Sequence, residues 1–431
     1  MGDLESVACE IEPLEWTRAR SVRNRRRPCA ISRQTEDRAI ATLFRILSAA
    51  GFAATAVSFG PARMGFGLFV PEFRDAFSLS TSTVGFVSSL GFLGFFLGLL
   101  AAEALLIRHG PKVPVLAGLS AATVGMAIVA GAPTLAVLAT GVFLAGSSAG
   151  FAWTPFNDAV HRKVPDAARP AALSAISTGT SVGIALAGIA ALAMVQSGLS
   201  WRHCWAVFAM VSVVVLIANW TTLRQVDRSP GAGPPARWRQ IARRAALPLL
   251  LIAFVSGTVS AIYISFAADR VRAVGGLPGV PAAIAPALIF IGYGLFGMTG
   301  LATARMKAAI GLSWLLRILM AAGAGSLALV ALLPASWTGL TASAGLQGIY
   351  VMVTSAVLAL WSERLFPQLP SFGFTAALVA MAAGSVGGPA VAGVAADAFG
   401  MPAMLMGAAV PPAATAVMLR AAHVRERGAD G

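Results

Sequence analysis

Arg63 stands in an apolar stretch, Gly60-Pro61-Ala62-Arg63-Met64-Gly65-Phe66-Gly67-Leu68-Phe69-Val70-Pro71. A guanidinium in hydrocarbon costs about 2.5–3.5 kcal/mol at mid-depth on insertion scales, and less towards an interface. It therefore needs water or a partner. On one reading, its planar and permanently charged fork grips an anionic group, above all a carboxylate, in a solvated cavity. On the other it is structural, a snorkelling side chain or an outer salt bridge, with Glu72 or Asp75 as the partner.

The other titratable groups avoid the middle of the apolar stretches. Glu103, Asp158, Asp269, Glu363 and Asp397 all fall near their ends, so no mid-depth carboxylate is visible that could relay protons. His109, His161, His203 and His423 lie at stretch ends or in the tail and assemble no nucleophile–base set. Cys9, Cys29 and Cys204 are scattered and form no disulfide framework or metal motif. Neither an enzyme nor a cofactor or metal site is expected.

The elements that must hold Arg63 follow from composition. Of 431 residues, 57% are hydrophobic and 12% charged, about half the charged share of an ordinary soluble domain. About 20 apolar residues cross roughly 30 Å of hydrocarbon. Such stretches recur at 43–70, 83–107, 113–132, 134–157, 171–195, 203–222, 247–268, 282–303, 312–333, 337–361, 372–396 and 401–420. The expectation is an all-α integral membrane protein of twelve spans, with no room for a soluble catalytic domain.

The net charge of +14 is placed where a membrane protein places it. Residues 1–40 form a basic arm expected to be a disordered cytosolic segment touching anionic headgroups. No apolar run precedes the first span, so no cleaved signal peptide is expected. Alternate loops carry Arg108 and Lys112, then Arg162, Lys163 and Arg169, then six arginines from Arg224 to Arg244, and further on Arg305, Lys307 and Arg364. The other loops hold only Arg74, Arg202, Arg270 and Arg272. By the positive-inside rule both termini are cytoplasmic, in a cell inner membrane. This distribution argues for lipid as the partner and against nucleic acid.

A linker at 223–246, containing Ser229-Pro230-Gly231-Ala232-Gly233-Pro234-Pro235, divides the chain into bundles at 41–222 and 247–420, with a tail at 421–431. Gly179, Gly183, Ala187 and Gly188 match Gly384, Gly388, Ala392 and Gly393, as 183 matches 388, at a constant offset of 205 residues. The same register pairs Asp158 with Glu363 and Pro165 with Pro370. Duplicated halves are common in secondary transporters. The glycine runs, including Gly85, Gly91, Gly94 and Gly98, are read as close-packing helix faces.

With these features the chain, from Ala41 to Arg420, resembles the major facilitator superfamily. The loop Arg108-His109-Gly110-Pro111-Lys112 looks like the family's basic signature between spans 2 and 3, keeping Arg108, Gly110 and Lys112. It departs from that signature at Glu103, Ile107 and Pro111. Pro165-Asp166-Ala167-Ala168-Arg169 resembles the loop after span 4, and Gly388-Pro389 with Gly393, Asp397 and Gly400 the end of span 11. Where many drug antiporters carry a span-4 arginine four residues before a glycine, this chain has Val142 ahead of Gly146; Ile184 follows Gly183 where such antiporters have proline. The first span is similar to that of a bacterial branch with an arginine there and a proline at its outer end.

The resemblance implies two pseudo-symmetric six-helix halves working by alternating access on a small-molecule substrate, as a monomer. In that architecture spans 4, 7, 8 and 10 contribute to the cavity. Arg63, Gln347, Tyr350, Tyr263 and Tyr293 are the candidate substrate-binding residues. Trp153, Asn157 and Trp361 are weaker candidates, the tryptophans being commoner as interfacial anchors. Glu103, Arg108, Asp158, Arg162 and Arg169 are candidate gating residues on the cytosolic side. The leading expectation is a permease for a small organic solute, with a carboxylate anion as candidate cargo. A proton-coupled drug or metabolite exporter and a non-transporting membrane sensor are the alternatives.

Overall fold

The computed structural model describes residues 30–224, 246–366, 370–420 and 424. The arm up to residue 29, the linker from 225 to 245 and most of the tail lie outside the described residues, and with them Cys9, Cys29 and the linker arginines. The described residues from Leu43 onward pack into one compact unit. Every regular element among them is helical.

The first segment is broken. Helix α1 (Ala30–Val57) passes into a π-helical stretch (Ser58–Met64), then α2 (Gly65–Leu68) and α3 (Val70–Phe77). Pro61 lies inside the π stretch. Proline has no N–H to donate and its ring crowds the preceding turn, and a widened turn relieves both. The sequence expectation ended this span at residue 70, whereas the helical path runs on to Phe77. Arg63 therefore sits nearer mid-depth than a span ending at residue 70 would place it.

The remaining chain runs through α4 (Thr81–His109), α5 (Lys112–Ala130), α6 (Leu135–Gly150), α7 (Trp153–Lys163), α8 (Arg169–Gln196) and α9 (Trp201–Leu223). After the linker come α10 (Leu247–Ala273), α11 (Ala285–Gly297), α12 (Thr303–Ile310), α13 (Leu312–Leu332), α14 (Trp337–Leu365), α15 (Pro370–Phe399) and α16 (Met401–Met418). The pair α6–α7 continues as one span, Leu135–Lys163, and α11–α12 as another, Ala282–Ile310. Among the described residues eleven helices are long and apolar enough to cross a membrane. The broken first segment is not one of the eleven. The chain is a multi-pass membrane protein.

Glycines set how closely the helices approach, and they do so twice over. A methyl on Gly179 or Gly183 of α8 would run into the carbonyl oxygens of Phe52 and Ala56 on α1. In the second half Gly384 of α15 meets Phe254 of α10 in the same way, and Gly388 lies against Thr258. The next matched pair, Gly188 and Gly393, joins the halves instead. Gly188 lies against Ala287 and Ile291 of α11, and Gly393 against Thr81 and Ser82 of α4. Gly91, Gly94 and Gly98 of α4 face Val142, Phe143 and Ser147 of α6. Without a hydrophobic force between helices in lipid, such close approach supplies dispersion contact.

Candidate functional site

A cavity of about 400 Å³ lies between the two halves. Its deep end is formed by Phe59, Arg63, Phe95, Ser256, Ser260 and Tyr350, near the middle of their helices. From there its walls follow the halves of α7, α8, α12, α14 and α15 that lie towards the interhalf linker, reaching Trp153, Ser174, Ala304, Leu360 and Phe374. Serine and threonine hydroxyls recur throughout the lining, and no carboxylate borders it among the described residues. Arg63 is its one charged lining residue. A larger hollow of about 600 Å³ between α10, α15 and α16 is walled almost wholly by apolar groups and opens past Val391 and Phe399. These side chains are 71% and 77% exposed, so that hollow suits acyl chains rather than a solute.

Arg63 is held by aromatic faces. Its guanidinium carbon lies 4.1 Å from the Phe95 ring centroid, 5.4 Å from Phe59 and 5.6 Å from Phe92. Each such contact is worth about 0.5–2 kcal/mol, but none neutralises the charge. Nε is buried and makes no hydrogen bond. The outer salt bridge expected as the structural alternative is not made by Arg63. Glu72 and Asp75 are taken by Arg272, whose Nη1 lies 2.5 Å from Glu72 Oε1 and whose Nη2 donates to Asp75 Oδ2 at 2.8 Å. A useful contrast is Arg317 on α13, which the sequence reading did not single out. Its Nε and Nη2 donate to the Ala416 and Val417 carbonyls at 3.0 and 3.1 Å, capping the end of α16.

The other expected binding residues divide. Tyr350 borders the cavity, and its buried hydroxyl approaches Ser256 without a well-formed hydrogen bond. The Tyr293 hydroxyl is likewise buried, near Ser260 without a well-formed hydrogen bond and within electrostatic reach of Arg63, but its ring stacks on Tyr263 at 6.4 Å above the cavity. Tyr263 accepts a hydrogen bond from Ser343 at 3.1 Å. Gln347, fully buried, accepts from Ser326 at 2.6 Å. The cavity lining reaches Arg63 and Tyr350 but not Tyr263, Tyr293 or Gln347. Trp153 lines it near the linker end, while Trp361 is buried outside it. Val142, in the place of the antiporter arginine, is buried against Gly91.

The expected gating residues lie at the linker end. Arg162 pairs with Asp158 one turn earlier, Nε to Oδ2 2.5 Å. Arg169 pairs with Asp166 and donates to the carbonyls of Val164 and His161 at 3.0 and 2.8 Å. Each of these pairs stays within one half. Glu103 is half-buried near Asp158, and Arg108 is exposed at the end of α4.

Ion pairs between the halves are found at the opposite end, where sequence reasoning named the residues but did not match them. Arg74 Nη1 meets Asp269 Oδ2 at 2.5 Å. Together with the Arg272–Glu72 and Arg272–Asp75 pairs, this ties α3 to the end of α10. Below them, a methyl on Gly67 would strike the Ile264 carbonyl. That end is shut by backbone contact and sealed by charge. The signal available in the sequence was Glu72, Arg74 and Asp75 closing span 1 opposite Asp269 and Arg272 closing span 7.

The known proteins that this arrangement resembles are carriers. A mutant of the nucleoside transporter NupG superposes with a TM-score of 0.66 at 14% identity, covering 90% of this chain and all of that one. A bacterial homologue of the human lysosomal transporter Spinster was crystallised inward-facing in two states. The unoccupied one matches with a TM-score of 0.62 at 16% identity, covering 89% of this chain and 95% of that one. The occupied one matches with the same score and identity, over 92% and 99%. At these identities the likeness is one of fold. No curated relative matches the chain. The family model of the Major Facilitator Superfamily, however, matches residues 47–365, from the helix ahead of Arg63 to the end of α14, and the chain belongs to that superfamily.

Proposed function

We propose that this protein is a secondary permease of the cell inner membrane that moves a small organic anion, a monocarboxylate, by alternating access. The first segment serves as a twelfth span, and both termini lie in the cytosol. The observation that carries the reading is Arg63: one guanidinium at the deep end of a solvated cavity, without a carboxylate partner among the described residues. A bound carboxylate supplies the missing pair, and a planar fork favours it through two parallel hydrogen bonds. The hydroxyl-bearing and apolar walls suit a body that is partly apolar. With the basic loops inside, the cavity opens to the cytosol and the Arg74–Asp269 end faces out. The structure is then the inward-facing state.

The test is uptake into vesicles reconstituted with the full chain. The panel holds radiolabelled monocarboxylates of increasing size, with uridine and a cationic dye as neutral and cationic comparators. Saturable carboxylate uptake, lost in Arg63→Ala and kept at reduced affinity in Arg63→Lys, is the expected result. Dye export that dissipates an imposed pH gradient, or no flux of any solute, refutes it.

A further inference from the structure

Accepting that reading of the site, we infer that the carrier is an obligatory one-for-one exchanger of monoanions, because its empty form cannot close around an unneutralised Arg63.

To change the side to which it opens, the protein must shut the cavity around whatever is inside. The contents include the Arg63 guanidinium, which stays protonated at any accessible pH. The elements packed around it offer aromatic faces from Phe59, Phe92 and Phe95 and hydroxyls from Ser256, Ser260 and Tyr350. Tyr293 is the titratable group within its electrostatic reach. None of these brings a negative charge. While the cavity is open, water solvates the cation. Once it shuts, the empty carrier encloses a net positive charge in a low-dielectric interior, which is costly without a partner. Trapped water can satisfy the hydroxyls and the N–H groups, but it does not cancel the charge.

A monoanion does. With a carboxylate on the guanidinium the occluded cavity is neutral, and a dianion would reverse the problem rather than solve it. The loaded carrier therefore crosses between states and the empty one does not, so one anion leaves for each that enters. The exchange carries no net charge. Insertion scales disfavour an arginine at mid-membrane by roughly two decades. Exchange is accordingly expected to outrun net efflux by about 100-fold.

The experiment has two arms. The first needs no substrate. Spin labels are placed on cysteines at Ala167 and Ala308, both exposed at the linker end in opposite halves, with the three native cysteines replaced. Arg272→Gln is included throughout to weaken the opposite end. The protein without solute should give one long distance, Arg63→Lys should match it, and Arg63→Gln should add a second, shorter population. A short population of equal size without Arg63→Gln, or in Arg63→Lys, overturns the inference. The second arm follows efflux of preloaded benzoate, or of the best carboxylate from the uptake panel. The expected result is about 100-fold acceleration by external benzoate, indifferent to a potassium diffusion potential. Efflux as fast without external anion overturns exchange yet leaves transport standing. Absence of all flux refutes transport itself, while the spin-label arm reports separately on what Arg63 does to closure.

Discussion

Replacing Arg74 by glutamine should push the protein away from the state seen here. Asp269 is left behind with its side chain only 7% exposed, while Arg74 itself is 29% exposed. Removing one member of a fully buried pair costs about 3–5 kcal/mol, and an exposed pair is worth about 0.2–1 kcal/mol. The asymmetry of this pair places it between those limits. Arg272 lies within electrostatic reach of Asp269 and compensates in part. A net penalty of about 2 kcal/mol follows. It falls on the conformer with the Arg74 end shut, since in the other conformer that end parts and Asp269 gains water. The ratio of the two conformers then moves by about 30-fold. Spin labels at Leu199 and Val274, exposed on opposite halves at that end, should show a longer-distance population in Arg74→Gln when both proteins carry saturating benzoate, the anion that lets the halves close around Arg63. The charge swap Arg74→Asp with Asp269→Arg should restore the original distribution. An unchanged distribution in Arg74→Gln, or a swap that fails to restore it, refutes the assignment of this pair as a gate.

Three further outcomes follow from the packing. Gly183→Val, which drives a side chain into Ala56, should lower stability by about 1–3 kcal/mol; Gly387→Ala, with nothing within 4 Å of its Cβ, should change it by under about 0.5 kcal/mol, both read from thermal unfolding in detergent. Tyr350→Phe should weaken uptake several-fold at a stability cost of at most about 1 kcal/mol, because the hydroxyl approaches Ser256 without a well-formed hydrogen bond; a larger loss would show that it serves the fold rather than the cargo. Gln347→Leu should leave the KM of uptake within about twofold and cost no more than about 0.5–1.5 kcal/mol, because Ser326 keeps the Gly323 carbonyl as its acceptor.

The spans were legible because lipid permits so few solutions. A run of about 20 apolar residues must satisfy its backbone internally, and a helix does so. The repeat was legible for a related reason. Backbone approach demands small residues at fixed spacing, so Gly183 and Gly388 recur because Ala56 and Thr258 sit in matching places. What was not legible depends on side-chain direction across long separations. Arg74 and Asp269 are 195 residues apart, and loop charge counting records their side of the membrane without pairing them. Gln347 and Tyr350, three residues apart, share one helical face and both pack on α13, Gln347 on Ser326 and Tyr350 on Gly323, yet of the two Tyr350 alone also borders the cavity. Pro61 signalled a break, but a single sequence does not say that the break is a π turn carrying Arg63.

The two kinds of interhalf contact divide the work between them. Along the seams that α8 makes with α11 and α15 makes with α4, the contacts are glycine against backbone or small side chains at Gly188 and Gly393. The α4–α15 seam carries one charge at its end, where Asp397 accepts from the Ser82 N–H at 3.0 Å; away from that point the near-equivalence of the two seams lets them tilt together. At the Arg74 end the halves are instead joined by directional charge. A hydrogen-bonded ion pair falls off steeply with distance, so a few ångströms of parting there changes the energy far more than the same motion along a seam. The state is therefore chosen at the ends of the bundle and the path between states by its seams. Arg63, at the depth where the halves meet, decides whether that path is open at all.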